Sequence, residues 1–210
     1  IDVARAAMEG RGVGRLDDLV VFVEGALPGE RVRARVQRVK RSFASARAVE
    51  ILRPSPQRVP GHCTHLGVCG GCAWQELAYP AQLDAKTDLV RETLARLGGF
   101  QDVDVPRALG SPQPFYYRNK MEFSFFAGRD GEVVLGLHMP GTFDRVFDLE
   151  ACHLMSEQSN AIVHRVRELA VRSGQPAYHA RRHTGFWRYL VVREAKSTGQ
   201  TMVNLVTNEG

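Results

Sequence analysis

Four cysteines carry the clearest chemistry in the sequence. Cys63, Cys69 and Cys72 fall within ten residues as Cys-x5-Cys-Gly-Gly-Cys, and Cys152 follows after a gap of 79 residues. Three thiols this close form a compact cup for a soft metal centre, since glycine lets the backbone turn sharply and approach a ligand. The distant fourth completes a set that suits structural zinc and a four-iron cluster equally. A disulfide framework is the weaker reading, because the chain opens with no apolar secretory core. A redox Cys-Gly-Gly-Cys pair would leave Cys63 and Cys152 without a role. His62, His65 and His153 sit beside the cysteines and read as loop histidines, the four ligand positions being already filled.

A second chemistry lies in the charge. Lys plus Arg number 28 against 23 Asp plus Glu, a formal net charge of +5. The excess sits near both ends: residues 1–60 carry +5, 61–110 and 111–150 carry −2 each, and 151–210 carry +4. Within 31–58 stand nine basic residues, Arg31, Arg33 and Arg35 among them, against Glu50 alone. Such a surface attracts polyanions, nucleic acid foremost, although a face charged only for solubility has the same composition. In Tyr117-Arg118-Asn119-Lys120 the cations can neutralise phosphates, Asn119 can pair with a base edge, and an exposed aromatic can stack on an unpaired base. Phe123 and Phe125 just beyond alternate as core residues do. Arg181, Arg182, His183 and Arg188 make a further basic cluster, for which a solvated turn is an equal reading.

These groups need elements to position them. With 44% hydrophobic and 24% charged residues the composition is that of a folded globular chain, and the elements read from its pattern make the expected class mixed α+β. No apolar run approaches the roughly 18 residues of a spanning helix, so a soluble, cytoplasmic monomer with no membrane contact is expected. Residues 1–58 read as short strands: Val20–Val23, a turn at Leu27-Pro28-Gly29-Glu30, then Arg31–Val36 in strict alternation, and Ala44–Leu52. Alternation puts Val32, Ala34 and Val36 on a buried face and the three arginines outside. The strands suit a small closed barrel bent at Gly10, Gly12 and Gly14. Residues 59–80 are a ligand-holding loop. Leu83, Val90, Leu94 and Leu97 recur at helical spacing, predicting a helix over 81–97 within a segment 81–110, stopped by Gly98-Gly99. The remainder, 111–210, predicts a hairpin (117–127 and 132–139, turning through Gly128-Arg129-Asp130-Gly131), a helix capped by Ser156 and ended by Gly174 that carries Ile162, Val163, Val166 and Leu169, and a second hairpin (187–193 and 200–207) turning at Thr198-Gly199.

Two resemblances attach to these residues. Gly-Arg-Gly-Val-Gly-Arg at 10–15 with Ala-Leu-Pro-Gly-Glu at 26–30 resembles the TRAM domain, an OB-like RNA-binding barrel. The run from Cys63 to Cys72 followed by Gln75, the run Tyr116 to Phe125, and Cys152 together resemble the RumA family of S-adenosylmethionine-dependent RNA uracil-5-methyltransferases. That resemblance covers essentially the whole chain. It implies that Cys63, Cys69, Cys72 and Cys152 hold a 4Fe-4S cluster in an α+β central domain after the barrel. It implies RNA contacts at Arg118, Asn119, Lys120, Arg31, Arg33 and Arg35, with 23S rRNA expected and tRNA the alternative. In the family, the nucleophilic cysteine and the S-adenosylmethionine site lie in a C-terminal domain onto which the stretch matching 81–97 docks. Here the cluster takes every cysteine, none is left to attack uracil C6, and no strand, Gly-rich turn and helix stand in the order of a cofactor pocket. The chain begins at Ile1 and ends just after a strand-like run. The expectation is therefore the RNA-recognition half of a longer methyltransferase, inactive alone. The alternatives are an RNA-binding module with a four-cysteine zinc site, a radical methylthiotransferase, whose Cys-x3-Cys-x2-Cys loop is absent, and a ferredoxin, for which a basic barrel has no use.

Overall fold

The computed structural model describes residues 1–128, 130–179 and 181–209. Arg129, in the expected hairpin turn, lies outside them. The chain divides into two compact units, one of 1–62 with 72–112, the other of 63–71 with 113–210.

The first unit is built on five strands, β1 (Val3–Ala6), β2 (Gly12–Leu16), β3 (Leu19–Glu24), β4 (Arg31–Val39) and β5 (Phe43–Arg53), in the order β1-β2-β3-β5-β4. All neighbours are antiparallel except β3 and β5, which run parallel. A bridge between Asp2 and Arg31 joins the two outer strands, so the sheet closes into the expected barrel. Its core is small and aliphatic: Val3, Val21, Val23, Ala26, Val32, Ala44 and Ala46. Gly12 and Gly14 are not bends. Both lie inside β2, where a Cβ on Gly12 would come within 2.5 Å of Val3 Cγ1 and one on Gly14 within 2.4 Å of the Asp2 carbonyl. They are glycine because the first strand passes too close for any side chain. Val32 is buried and Ala34 half-buried as alternation predicts, but Val36 is exposed, because irregularities in the β4–β5 register carry the end of β4 past the core.

Glu30 ties the barrel to Ser55 and Arg58, just beyond β5. Its carboxylate is fully buried and accepts hydrogen bonds from Arg58 Nε (2.6 Å) and Nη2 (3.1 Å), the Leu27 N–H (2.9 Å) and the Ser55 N–H (3.4 Å). Arg58 also pairs with Glu76 at 2.6 Å. Helix α1 (Tyr79–Arg96) starts two residues earlier than expected, with Pro80 in its first turn, and packs on β1 through Arg5 and Glu92. Of its predicted stripe, Leu83 and Leu94 are half-buried while Val90 and Leu97 are exposed, so none of the four enters the core.

The second unit is a five-stranded antiparallel sheet, β10-β9-β6-β7-β8, made of β6 (Lys120–Ala127), β7 (Val133–His138), β8 (Val146–Asp148), β9 (Trp187–Ala195) and β10 (Gln200–Thr207). Phe123, Phe125, Leu135, Leu190 and Val192 are buried, which settles the two phenylalanines as core. Helix α2 (Glu157–Ser173) packs against β7 and β9. Ser156 Oγ accepts from the Ser159 N–H at 3.0 Å, and Gly174 closes the helix in the left-handed region, both as expected. The buried stripe runs through Ser159, Val163, Val166 and Ala170, while Leu169 faces out, one position off the apolar face. No helix is long and apolar enough to cross a membrane among the described residues.

Candidate functional site

The cysteine loop has no regular structure but is far from slack. The N–H groups of Leu66, Val68 and Cys69 bond back to the carbonyls of Cys63 and His65, winding 63–69 into consecutive turns. The Gly71 N–H donates to Cys69 Sγ at 3.3 Å, the kind of contact that stabilises a thiolate. His65 is the loop's anchor rather than a bystander. Its Nε2 accepts from the Glu150 N–H at 3.0 Å and its ring lies 4.8 Å from that of Phe147, so the loop is pinned two residues before Cys152. Cys152 is buried, and the Asn160 amide holds its backbone on both sides, accepting from the Cys152 N–H at 2.8 Å and donating to its carbonyl at 3.2 Å. Neither His65 nor Asn160 stood out as an anchor in the sequence, since both partners are distant or irregular. Cys63, Cys69 and Cys152 belong to the second unit and Cys72 to the first. Among the described residues no group of three or more His, Cys, Asp or Glu side chains is placed to hold a metal ion.

The second candidate surface surrounds the start of β6, which begins at Lys120 rather than 117. Tyr116 takes a positive φ of 57°, and the N–H groups of Tyr116 and Arg118 bond to the carbonyls of His153 and Leu154 instead of a neighbouring strand. Lys196 Nζ bonds the Tyr116 carbonyl, and the Tyr116 hydroxyl lies 3.1 Å from His153 Nδ1. Tyr117, Asn119 and Lys120 are exposed, whereas Arg118 is half-buried with its guanidinium on Met121 Sδ at 3.2 Å. Directly opposite Lys120 on β9 stands Arg193, also exposed. Two like charges facing across an antiparallel pair repel, a cost that an anion between them would relieve. Arg193 escaped the sequence reading because only the strand register brings it there.

The barrel arginines are more compensated than their sequence suggests. Arg31 grips Asp2 with two hydrogen bonds of 2.8 and 2.9 Å, and each group holds the other in its charged form: hydrogen bonding and charge raise the arginine's pKa and lower the carboxyl's. Arg53 also reaches Asp2, Arg33 pairs with Glu50, and Arg47 with Glu24. Among the described residues Arg35, Arg38, Lys40 and Arg41 have no ion-pair partner, so the uncompensated charge lies at the end of β4 and its turn into β5. In the third cluster, Arg181 pairs with Asp144 at 2.8 Å. Arg188 is stacked 4.4 Å from the ring centre of Tyr178 and 5.7 Å from that of Tyr189, a packed rather than a free cation.

Residues 1–49 match the TRAM domain family. A Porphyromonas gingivalis protein described as an RNA methyltransferase is 39% identical over 98% of this chain and 48% of its own length, and one from Chlorobaculum tepidum is 39% identical over 90% and 42%. The crystal structure of Pyrococcus abyssi tRNA (uracil-54, C5)-methyltransferase, in complex with S-adenosyl-L-homocysteine, superposes with a TM-score of 0.68 at 30% identity, covering 99% of this chain and 46% of that one. The chain thus spans about half the length of the relatives it matches, with the TRAM match confined to its first 49 residues.

Proposed function

We propose that this chain is the RNA-recognition half of an S-adenosylmethionine-dependent RNA uracil-C5 methyltransferase. The carrying observation is the match, over 99% of this chain, to a tRNA uracil-C5 methyltransferase of known structure. Its physical counterpart is a pair of cationic surfaces, one on each unit, at 35–41 and at Lys120 with Arg193. Adding a methyl group at uracil C5 needs a thiolate to attack C6 and a base to take the C5 proton. In this reading those groups and the S-adenosylmethionine site belong to the half of such enzymes that the chain does not match, and the residues here bind and orient the RNA.

The same reading gives Cys63, Cys69, Cys72 and Cys152 to a 4Fe-4S cluster. What supports it is the chemistry of the donors: four thiols, a loop wound into turns, an N–H on Cys69 Sγ, and a His65 anchor beside the Cys152 segment. When bound, the cluster supplies cross-linking rather than reactivity, contributing directly to folding. The superposed tRNA enzyme favours tRNA as the substrate class over 23S rRNA.

The test is filter binding of the 210-residue chain to a tRNA transcript and to a 23S rRNA hairpin, with methyl transfer from labelled S-adenosylmethionine measured alongside. Binding without transfer is expected. Transfer by the chain alone overturns its assignment as a recognition half, and failure to bind either RNA overturns the RNA reading.

A further inference from the structure

We propose that a groove between the outer wall of the barrel and α1 is a pocket for one unpaired nucleotide of single-stranded RNA. This rests on the RNA reading above and says where the first unit holds its ligand. Phe22 on β3 and Phe43 at the start of β5 lie on the outer wall, since their neighbours Val21, Val23 and Ala44 fill the core. Their rings meet edge to face at 5.6 Å and remain half-exposed. With Met8, Leu89 and Leu97 they line an open cavity of about 470 Å³, within the range of small-ligand sites.

The charge around the groove favours a polyanion. Arg11 lies 5.8 Å from the centre of the Phe22 ring and Lys40 Nζ 5.0 Å from that of Phe43, with Arg96 on the lining from the last turn of α1. Glu92, the carboxylate of the lining, is taken by Arg5, and Arg11 pairs with Glu9, while Lys40 and Arg96 have no ion-pair partner among the described residues. Two aromatic faces beside uncommitted cations are what a stacked base and its flanking phosphates require. A peptide is the poorer occupant. The wall here is β3, hydrogen-bonded on both sides to β2 and β5, so it offers no free backbone edge for a strand to join.

The test is fluorescence anisotropy of the 210-residue chain with a labelled oligouridylate of about 12 nucleotides, long enough for one such barrel, and with an abasic ribose-phosphate oligomer of the same length, across a salt series. Phe22→Leu with Phe43→Leu keeps the apolar volume but removes the stacking faces. It should weaken oligouridylate binding about tenfold at every salt concentration, with unchanged slope and unchanged abasic binding. Lys40→Gln with Arg96→Gln should lower the salt slope by about 1.4 for two phosphates. A folded phenylalanine variant that binds oligouridylate like wild type, or loses abasic binding equally, overturns the groove. Should that variant misfold, an unchanged slope in the Lys40 and Arg96 variant overturns it instead. Binding that depends only on Lys120 and Arg193 leaves the RNA reading standing and removes the groove, whereas no RNA binding by the wild-type chain removes the reading itself.

Discussion

Replacing Glu30 by alanine should cripple the barrel. The carboxylate is fully buried and its four hydrogen bonds come from one guanidinium and two backbone N–H groups. Truncation leaves the Leu27 and Ser55 N–H groups unpaired and deprives Arg58, itself only 16% exposed, of its buried partner, with Glu76 remaining. Breaking a buried pair from one side costs about 3–5 kcal/mol. Native-state hydrogen exchange reads this locally: the slowest amides of β3 and β5 should lose protection by roughly a few hundred- to a few thousand-fold, at about 1.36 kcal/mol per tenfold. Glu30→Gln keeps an acceptor and should fall between. Burial alone would push the Glu30 carboxyl up, but the Arg58 hydrogen bonds, the Leu27 N–H and the Arg58 charge outweigh it and hold the group below its usual range. A depressed carboxyl stabilises the fold above its unfolded value, near 4.3, and loses that contribution as pH falls through the folded value. The gap between wild type and Glu30→Gln should therefore be full at neutral pH and narrow below about pH 4. A loss of protection under tenfold in Glu30→Ala, or a gap that widens in acid, refutes the argument.

Two further outcomes are expected at the sites. Cys69→Ser should yield protein with little iron and a lowered melting temperature by circular dichroism, because the loop loses its cross-link; an iron-free variant that melts like wild type refutes a structural cluster. Lys120→Ala with Arg193→Ala should lower the salt slope of RNA binding by about 1.4 while leaving the sheet as stable or slightly more so, since the two cations repel across the strand pair; an unchanged slope would leave them a solvated surface.

Local pattern made much of this molecule legible. The α2 cap at Ser156 and its stop at Gly174, the β9–β10 hairpin and the phenylalanine core of β6 come from propensity and period over a few residues. The features that escaped were set by partners far along the chain. Gly12 and Gly14 look like bends until the first strand is seen lying against them. Arg31 and Arg47 look uncompensated until Asp2, just before β1, and Glu24 of β3 are seen beside them. Arg193 gains meaning only through register, and His65 and Asn160 only through backbone groups near Cys152. The groove at Phe22 and Phe43 was missed because those rings sit in strands whose alternation otherwise reads simply as barrel wall.

The path of the chain between the two units has a consequence for any attempt to divide it. The backbone leaves the first unit after residue 62, contributes nine residues to the second, returns for residues 72–112 and only then departs for good. No single peptide bond therefore separates them. A fragment starting at 113 would lack the turns that His65 pins beside Cys152, and one ending at 112 would carry those turns with nothing to pin them. Because residues 63–71 fold with the second unit while the residues on both sides of them fold with the first, melting curves of the intact chain should be fitted as linked transitions rather than as two independent domains.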